Sequence, residues 1–399
     1  MVRSTVANDV VARAAALAPQ IRAAADEMES ARRLPASLVQ ALDQAGLLQL
    51  SLPRSMGGPE VNPLTALRAI EALSRADGSV GWCAMISSAN ANFAGWLRAD
   101  VGRAMFGQPP HYRGAGSFRP LGEAHPVDGG YRVRGRWDYA SGIDHANWIS
   151  FSCKVVDDRG PRLSPAGTPE TLMMLAPAET ATLLDTWDVV GMRGTGSNDF
   201  VLNDVFVPEE RTFPLYGPPQ EPGPLYNPRM SLVAGWAVTA GNSLGMARGA
   251  MDSFVELAST SGTTISTKLL RDRPTVQVTV AEAEAIISAA RAYLLDAVGT
   301  AWQATCDGVE DPVQELAQAR VAITHAMRES VRAVDLLFHA AGTNAIHRKH
   351  PLERFFRDVH VAAQHGAGLL SNFESGGQAL LGLRPSGVGW YGEGPIKGR

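Results

Sequence analysis

The spacing of apolar side chains changes twice along this chain of 399 residues, and this double change restricts the fold more than any single motif. Residues 1–112 place apolar side chains three or four positions apart, which is typical of amphipathic helices. Residues 113–215 alternate between apolar and polar side chains and are interrupted by turn residues, which indicates short strands. Residues 216–399 return to helical spacing. We therefore predict an α+β protein with an N-terminal helical domain, a central antiparallel β domain and a C-terminal four-helix bundle.

Individual elements can be placed within these regions. Strands are expected at GGYRVRGRW, WISFSCKVV, TLMML and FVLNDVFVP. The four bundle helices are expected at residues 231–259, 275–304, 311–342 and 351–382. Gly241, Gly245 and Gly249 repeat every four residues, so one helix surface is bare enough for close packing.

The composition excludes several classes of partner. Net charge is −4, from 36 basic and 40 acidic side chains, which does not suggest a nucleic-acid or membrane-surface footprint. No uncharged apolar run reaches the length of a membrane span. Asp9 lies early in an N-terminal stretch that lacks an apolar core before a cleavage site, so a signal peptide is not expected. We expect a cytoplasmic protein that binds neither nucleic acid nor membrane.

Cysteine and histidine spacing gives no sign of a metal site. Cys83, Cys153 and Cys306 lie far apart, and no pair has the spacing of a redox or metal motif. His347 and His350 are close together but lie in a loop-like segment, and the sequence contains no HExxH. We expect reduced thiols and no bound metal.

The stretch FFRDVHVAAQHGAG holds the first candidate for chemistry. A helix is expected to start at Pro351. On a continuous helix Arg357, Val361 and His365 would repeat at four-residue steps, with Asp358 near the same face. Two interpretations stay open from these residues: a helix with surface ion pairs, or an active-site histidine at position 365.

Two segments of the middle region suggest a binding surface. WDYASG, residues 137–142, combines aromatic rings with the Ser141 hydroxyl and a glycine, so a planar ring could lie against it and Ser141 could bond a ring nitrogen. A β-bulge with core aromatics is the alternative. GMRGTGS, residues 191–197, lacks the ending of a phosphate-binding loop and is not GxGxxG, which favours a tight turn lined by N–H groups and hydroxyls.

A third segment, RDRPTVQ at residues 271–277, lies between the first two bundle helices. Its two arginines and its glutamine at a helix start could hold a phosphate, helped by the positive end of the helix dipole. A solvated loop is the alternative.

Taken together, these segments resemble the acyl-CoA dehydrogenase family. The matching stretches are LPASLVQALDQAGLLQLSLPRSMGG, DGSVGW, GGYRVRGRWDYASG, WDVVGMRGTGSNDFVLNDVFVPEER and PLERFFRDVH, and they occur in the family's order over nearly the whole chain. DGSVGW, WDYASG and RDVHVAAQH are more similar to one branch, the reduced-flavin-dependent monooxygenases of two-component systems.

The resemblance implies a cofactor and a reaction. Members of this branch take reduced FMN or FAD from a separate reductase and react it with O2 to a flavin C4a-hydroperoxide, which oxidises a small aromatic or natural-product-like molecule. By the same resemblance, His365 and Ser141 are the expected catalytic residues, with Ser141 near flavin N5. The remaining expected cofactor contacts are Ser117, Trp137, Tyr139, Arg273 and Gln277, the last two across a subunit interface. Trp82, Asn90 and Asn92 are the expected substrate contacts, and Asn90 or Asn92 stands near the place of a histidine found in the aromatic hydroxylases.

Other functions stay open at this point. The family's dehydrogenases use a glutamate base after the RD pair, whereas this chain reads AAQHGAG there. An FAD-dependent desaturase with a relocated base is the alternative, and Glu374 is a carboxylate expected on the same helix as His365. A flavin-free binding subunit is the third possibility. A homotetramer is expected from the resemblance, with the glycine-bearing helix face and the apolar helix VRAVDLLFHAAG as surplus apolar surface.

Overall fold

The computed structural model describes residues 2–107, 111–164, 167–214, 217–263, 266–348, 350–387 and 389–390. It has the predicted order of a helical region, a sheet and a second helical region. The predicted domain boundary at residues 215 and 216 lies outside the described residues, and the domain limits 1–112, 113–215 and 216–399 stay a prediction.

The N-terminal region packs short helices around one apolar core. Its helices are α1 Val2–Ala16, α2 Ala18–Ala23, α3 Ala25–Ala31, α4 Ala36–Gln44, α5 Pro63–Ser74, α6 Gly78–Asn92 and α7 Ala99–Phe106. Asp77 separates α5 from α6, because its carboxylate accepts the Ser79 and Val80 N–H groups and caps the second helix. This cap fixes the start of the helix that carries Trp82.

The sheet pairs its strands antiparallel, as predicted, except for one parallel pair, so the sheet as a whole is mixed. Its strands are β1 Gly114–Val127, β2 Gly130–Trp137, β3 Trp148–Asp157, β4 Gly160–Pro161, β5 Thr171–Pro177, β6 Thr182–Leu184, β7 Asp199–Pro208 and β8 Thr212–Phe213. The strand order is β6-β7-β2-β1-β3-β5-β8, with β4 on β3. After the β1–β2 hairpin the chain crosses to the opposite side of β1, where β3 pairs with β1 in the parallel direction. The four predicted strands are confirmed as β2, β3, β5 and β7.

The C-terminal region contains the predicted long helices, but the last predicted segment is broken. Its elements are α8 Pro228–Thr260, β9 Gly262–Thr263, β10 Ser266–Leu269, α9 Pro274–Cys306, α10 Val313–Ala341, α11 Pro351–Ala362 and α12 Ser371–Leu380. A 3₁₀ turn at Gly366–Gly368 separates α11 from α12, and His365 precedes it with an extended backbone, φ −62° and ψ 151°. His365 therefore does not share a helix face with Arg357 and Val361, contrary to the prediction.

The glycine-bearing face of α8 packs inside the chain, as predicted from its spacing. A side chain at Gly241 or Gly245 would collide with the α5 backbone, at Leu67 and Glu71 respectively, and one at Gly249 would collide with Phe355. This face is therefore occupied by α5 and α11 and is not surplus surface for assembly, which corrects that part of the sequence argument.

A loop from the sheet is anchored on α11. The Met192 N–H donates to the carboxyl of Asp358, which is 1% exposed. The loop runs so close to the helix that a Cβ at Gly191 would lie 2.5 Å from the Arg357 carbonyl oxygen. Burial, together with the nearby Asp77 carboxyl, raises the pKa of Asp358 from its usual 3.8 to about 8. The carboxyl thus keeps its proton to a higher pH than an exposed aspartate does while it holds the loop.

Charged side chains around this anchor join all three regions. Glu29 of α3 lies 3.0 Å from Arg357, 3.5 Å from Arg193 and 3.9 Å from Arg354. Arg357 also donates to the Val190 carbonyl oxygen at 2.6 Å. Because these charges are half-buried and share partners, they form a network rather than isolated surface pairs.

The described part of the chain offers neither a membrane span nor a metal site. No helix there is both long and apolar enough to span a membrane. No group of three or more His, Cys, Asp or Glu side chains among those residues is arranged to hold a metal. The cytoplasmic location stays a prediction.

We predict that Asp358→Asn changes how stability depends on pH. A folded pKa above the unfolded value means that the stability contributed by this carboxyl is complete below about pH 4 and is lost as pH rises toward about pH 8. Asparagine keeps the acceptor for Met192 but cannot ionise. The melting temperature of Asp358→Asn relative to the parent should therefore rise between about pH 5 and about pH 8.

The control is Asp100→Asn, since Arg98 holds the pKa of that exposed carboxyl below its usual value. It should show no such rise. Asp358→Ala should be destabilised by about 1–3 kcal/mol, because the Met192 N–H loses its acceptor. Parallel pH curves for Asp358→Asn and the parent would contradict the assignment of a buried, protonated carboxyl.

Candidate active site

The connection from β2 to β3 carries the predicted YASG segment across the end of the sheet. Tyr139 has φ 59° and Gly142 has φ 78°, so the chain turns twice in the left-handed region within four residues. At Gly142 this conformation is free of Cβ strain, and its N–H donates to the Thr195 carbonyl oxygen at 2.8 Å. Ala140 donates in the same way to the Asn198 carbonyl oxygen at 3.2 Å. The segment is thus fixed on the loop at residues 191–198.

Three hydroxyl groups form a chain between these two segments. Ser141 Oγ lies 2.7 Å from Ser197 Oγ, which lies 2.7 Å from Thr195 Oγ1. Thr195 Oγ1 donates to the Met192 carbonyl oxygen at 2.8 Å. At the other end, the Trp82 indole N–H donates to Ser141 Oγ at 3.0 Å. All three hydroxyls are buried.

The direction of this chain follows from counting protons. A hydroxyl has one proton to donate and two lone pairs to accept with. Thr195 gives its proton to Met192, so Ser197 must donate to Thr195, and Ser141 must then donate to Ser197. Trp82 occupies one lone pair of Ser141. Ser141 is therefore left with one free lone pair and can only accept a hydrogen bond from a ligand.

Trp82 also links this chain to His365. The two rings meet edge to face, with centroids 5.6 Å apart and an interplanar angle of 83°. Ser141, Trp82 and His365 were predicted separately from three distant segments, and the structure brings them into one cluster through the indole of Trp82.

The state of the His365 ring is set by its surroundings. Nδ1 accepts the Ala367 N–H at 3.2 Å, so the neutral ring carries its proton on Nε2. Burial lowers the pKa of His365 to about 4, because charging the ring would cost solvation. At neutral pH His365 is therefore a hydrogen-bond donor through Nε2.

Tyr139 supplies an open aromatic surface beside the hydroxyl chain. Its side chain is 64% exposed, and its ring meets Trp187 edge to face at 6.3 Å. The Trp187 indole N–H donates to the Met192 carbonyl oxygen at 3.0 Å, so the Trp187 ring is anchored on the loop at residues 191–198.

Trp137 does not line this surface, contrary to the prediction. Its ring is 0% exposed and stacks on Phe200 at 5.2 Å, with Phe151 at 4.9 Å. Its indole N–H donates to the Ser152 carbonyl oxygen. Trp137 is the last residue of β2 and faces the sheet core, which matches the alternative of core aromatics.

The two asparagines expected to contact a substrate are engaged within the protein. Asn90 is 0% exposed, donates to the Ile86 carbonyl oxygen and accepts from the Ser150 hydroxyl, so it joins α6 to β3. Asn92 accepts from the Ser231 hydroxyl at 2.6 Å and joins α6 to α8. Both residues bond within the protein in this structure, and their contact with a substrate stays a prediction.

The other predicted contacts lie elsewhere. Ser117 is buried on β1, where it pairs with Phe151 of β3. Arg273 precedes α9, and Gln277 donates to the Arg271 carbonyl oxygen at 3.0 Å. This segment packs on α8 and α9 and is not joined to the hydroxyl chain within the described part of the chain. The flavin contacts of Ser117, Arg273 and Gln277 stay predictions.

Glu374 is not on the helix predicted for it. It lies on α12, after the 3₁₀ turn, and is exposed. The desaturase alternative therefore loses the carboxylate that the sequence offered as its base.

Sequence reasoning missed three polar residues of the site. Thr195 and Ser197 set the direction of the hydroxyl chain, and Asn372 contacts the turn that follows His365. The hydroxyls of GTGS were visible as a turn signal, but their partner Ser141 is 56 residues away. No local pattern marked Asn372.

Comparison with known proteins places this geometry in a family. Residues 8–98 match the acyl-CoA dehydrogenase N-terminal domain, and residues 237–368 match the acyl-CoA dehydrogenase C-terminal domain. The flavin-dependent monooxygenase oxygenase subunit HsaA of Mycobacterium tuberculosis is 32% identical over 371 residues, covering 90% of this chain and 92% of that protein. The oxygenase component of the FADH2-dependent resorcinol hydroxylase of a Rhizobium species is 32% identical over 400 residues, covering 95% of each chain.

A solved structure gives the same result. XiaF from a Streptomyces species, in complex with FADH2 and glycerol, has a TM-score of 0.86 and 29% identity, covering 96% of this chain and 97% of XiaF. The family resemblance read from the sequence is thus confirmed. This chain belongs to the acyl-CoA dehydrogenase superfamily, in its branch of flavin-dependent monooxygenase oxygenase components from two-component systems.

Proposed function

We propose that this enzyme uses reduced flavin, supplied by a separate reductase, and O2 to hydroxylate a small aromatic molecule. The observation that carries the proposal is the direction of the hydroxyl chain. The Ser141 hydroxyl donates its one proton to Ser197, so it can only accept a further hydrogen bond. Reduced flavin bears a proton on N5, whereas N5 of oxidised flavin is an acceptor. The Ser141 hydroxyl is therefore complementary to the reduced ring.

The residues present fit such a cofactor. Tyr139 and Trp187 provide an aromatic surface next to Ser141 on which a planar ring system can lie. Ser117 and Ser141 are the hydroxyls that would bond the ring, and Arg273 and Gln277 would approach the phosphates from a neighbouring subunit. FADH2 is the reduced flavin we favour over FMNH2, because the resorcinol hydroxylase is FADH2-dependent and XiaF binds FADH2.

Reduced flavin would supply two electrons, so that one oxygen atom of O2 enters the substrate and the other leaves as water. The protein's own contribution is to hold hydrogen bonds in a fixed direction. His365 would donate a hydrogen bond from Nε2 to the oxygen that leaves; its low pKa keeps the ring neutral at working pH, and the Ala367 N–H orients it. Burial of Ser141, Ser197 and Thr195 would exclude water and limit the release of peroxide.

The remaining alternatives have less support. The desaturase needs a base near the ring, and Glu374 is exposed on another helix. A flavin-free subunit gives no reason for a buried hydroxyl chain that ends in a free acceptor beside an exposed aromatic ring.

The proposed function is tested by binding and by isotope labelling. Anaerobic titration should show tighter binding of FADH2 than of FAD, and Ser141→Ala should reduce that preference because the N5–H contact is lost. With a flavin reductase, NADH and 18O2, a phenol such as resorcinol should gain one labelled oxygen. Ser243→Ala is the control for a lost buried hydroxyl, since Ser243 only bonds its own helix. Equal affinity for FADH2 and FAD, or O2 converted only to H2O2 across a panel of phenols and indoles, would contradict the proposal.

We predict that His365→Ala separates oxygen consumption from product formation. Loss of a hydrogen-bond donor to the reacting oxygen typically costs about a hundredfold to a thousandfold in the step that it serves. O2 uptake should continue while the ratio of H2O2 to hydroxylated product rises. His365→Asn should be similarly impaired, because its shorter amide reaches about as far as Nδ1 and places no donor where Nε2 lies.

His360→Ala is the matched control, because His360 lies on α11 and pairs with Asp335 instead of Trp82. Since burial lowers the pKa of His365 to about 4, the parent's product ratio should show no histidine titration between about pH 6 and about pH 8. Normal coupling in His365→Ala would show that His365 only caps the 3₁₀ turn that follows it.

We also propose a homotetramer. Five leucines at the C-terminal end of the helical region are exposed on the single chain: Leu369, Leu370, Leu380, Leu381 and Leu383. Exposed apolar groups of this kind mark contact surfaces. Light scattering at micromolar concentration should give four times the chain mass, and the monomer mass would rule the assembly out.

A further inference from the structure

The turn that follows His365 is held by two side chains from other helices. Thr324 of α10 donates from Oγ1 to the Ala367 carbonyl oxygen at 2.6 Å. Asn372 of α12 donates from Nδ2 to the Gly366 carbonyl oxygen at 3.0 Å and to that of Ala367 at 3.2 Å. Thr324 is 0% exposed and Asn372 is also buried, so water cannot replace these bonds.

One of these bonds acts on the same peptide group that orients His365. The Gly366 carbonyl and the Ala367 N–H belong to a single planar unit and point in opposite directions. Asn372 holds the carbonyl side of this plane, and the N–H side donates to His365 Nδ1. Rotation of the peptide plane would break both bonds together.

The amide of Asn372 has its own support. Arg320 of α10 donates from Nη2 to Asn372 Oδ1 at 3.2 Å. Its guanidinium lies between the rings of Trp236 and Trp390, 4.7 Å and 4.8 Å from their centroids. Because a guanidinium only donates, Asn372 must turn Oδ1 toward it, which leaves Nδ2 for the turn.

We infer that Asn372 is a positioning residue, which fixes the ring orientation and the tautomer of His365 through the 366–367 peptide. Thr324 supports it by holding the carbonyl of the next peptide, 367–368, so that the turn cannot shift. This rests on the proposed role of His365 as a hydrogen-bond donor through Nε2. When the peptide plane is held, Nδ1 is an acceptor and Nε2 carries the proton. When it is released, either nitrogen can carry the proton, and a ring with its proton on Nδ1 cannot donate from Nε2.

The test compares two substitutions at one position. Thr324→Val keeps the shape of the side chain and removes its donor, whereas Thr324→Ser keeps the hydroxyl. Ser330→Ala is the matched control, since it removes a buried hydroxyl of the same helix that bonds only the Ala326 carbonyl oxygen. Thr324→Ala gives the same comparison if valine is not tolerated. Equal melting temperatures would exclude a general loss of fold.

The first readout is the His365 tautomer, measured by 15N NMR of histidine-labelled protein and assigned by comparison with His365→Asn. The parent, Thr324→Ser and Ser330→Ala should carry the proton on Nε2 alone, whereas Thr324→Val should show both tautomers. Asn372→Asp, which faces two carbonyl oxygens with a carboxyl group, should show a similar or larger change. An unchanged tautomer in both Thr324→Val and Asn372→Asp would overturn the inference.

The second readout is the ratio of H2O2 to product with resorcinol or another phenol that the parent hydroxylates. A misplacement of about 1 Å can cost about a hundredfold in rate, so Thr324→Val should raise the ratio by up to that factor. In the double variant His365→Ala/Thr324→Val, the ratio of H2O2 to product should be the same as in His365→Ala alone. Normal coupling in His365→Ala would refute the proposed role of His365 and leave the monooxygenase function standing, and the tautomer measurement would still decide the positioning role. Uncoupling in His365→Ala without any in Thr324→Val would refute the positioning role alone.

Discussion

The hydrogen bond from the Met192 N–H to the buried Asp358 carboxyl ties the sheet to the C-terminal helices, and the geometry of the site depends on it. On the sheet side, Met192 also receives the protons of Thr195 and Trp187 through its carbonyl oxygen. On the helix side, α11 ends at Ala362, three residues before His365. One helix therefore fixes both the loop that directs Ser141 and the start of the turn that carries His365.

The site controls protons by the direction of hydrogen bonds and not by charge. Ser141, Ser197 and Thr195 each have one proton, and the carbonyl at the end of the chain decides where all three point. His365 is kept neutral by burial and has one nitrogen occupied. A cofactor whose two redox states differ in the hydrogen on a ring nitrogen fits a site of this kind. The fixed direction of the hydroxyl groups distinguishes the two states, and no buried ion is needed to do so.

The sequence predicted the class of fold, but for several residues it did not predict whether the side chain faces the core or the solvent. Alternation located β2, β3, β5 and β7, but β1 has Pro120 and Pro126 and changes register twice against β3, so its pattern is hidden. The helix that Pro351 begins ends at Ala362, and a 3₁₀ turn at Gly366–Gly368 follows it, which periodicity alone did not show. Trp137 and Tyr139 are two residues apart, yet the positive φ of Tyr139 turns one toward solvent while the other faces the core. Asn90 meets Ser150 from 60 positions away, which no local pattern can reveal.

The Asp358 anchor also has a consequence for the growing chain on the ribosome. Asp358 follows Met192 by 166 residues, which corresponds to roughly 8–33 s of synthesis at about 5–20 residues per second. During that interval the strands on both sides of the loop are present while the helix that holds the loop has not been made. A translation product that stops before position 358 would therefore contain every strand of the large sheet and all three hydroxyls of the site, without the helix that orders them.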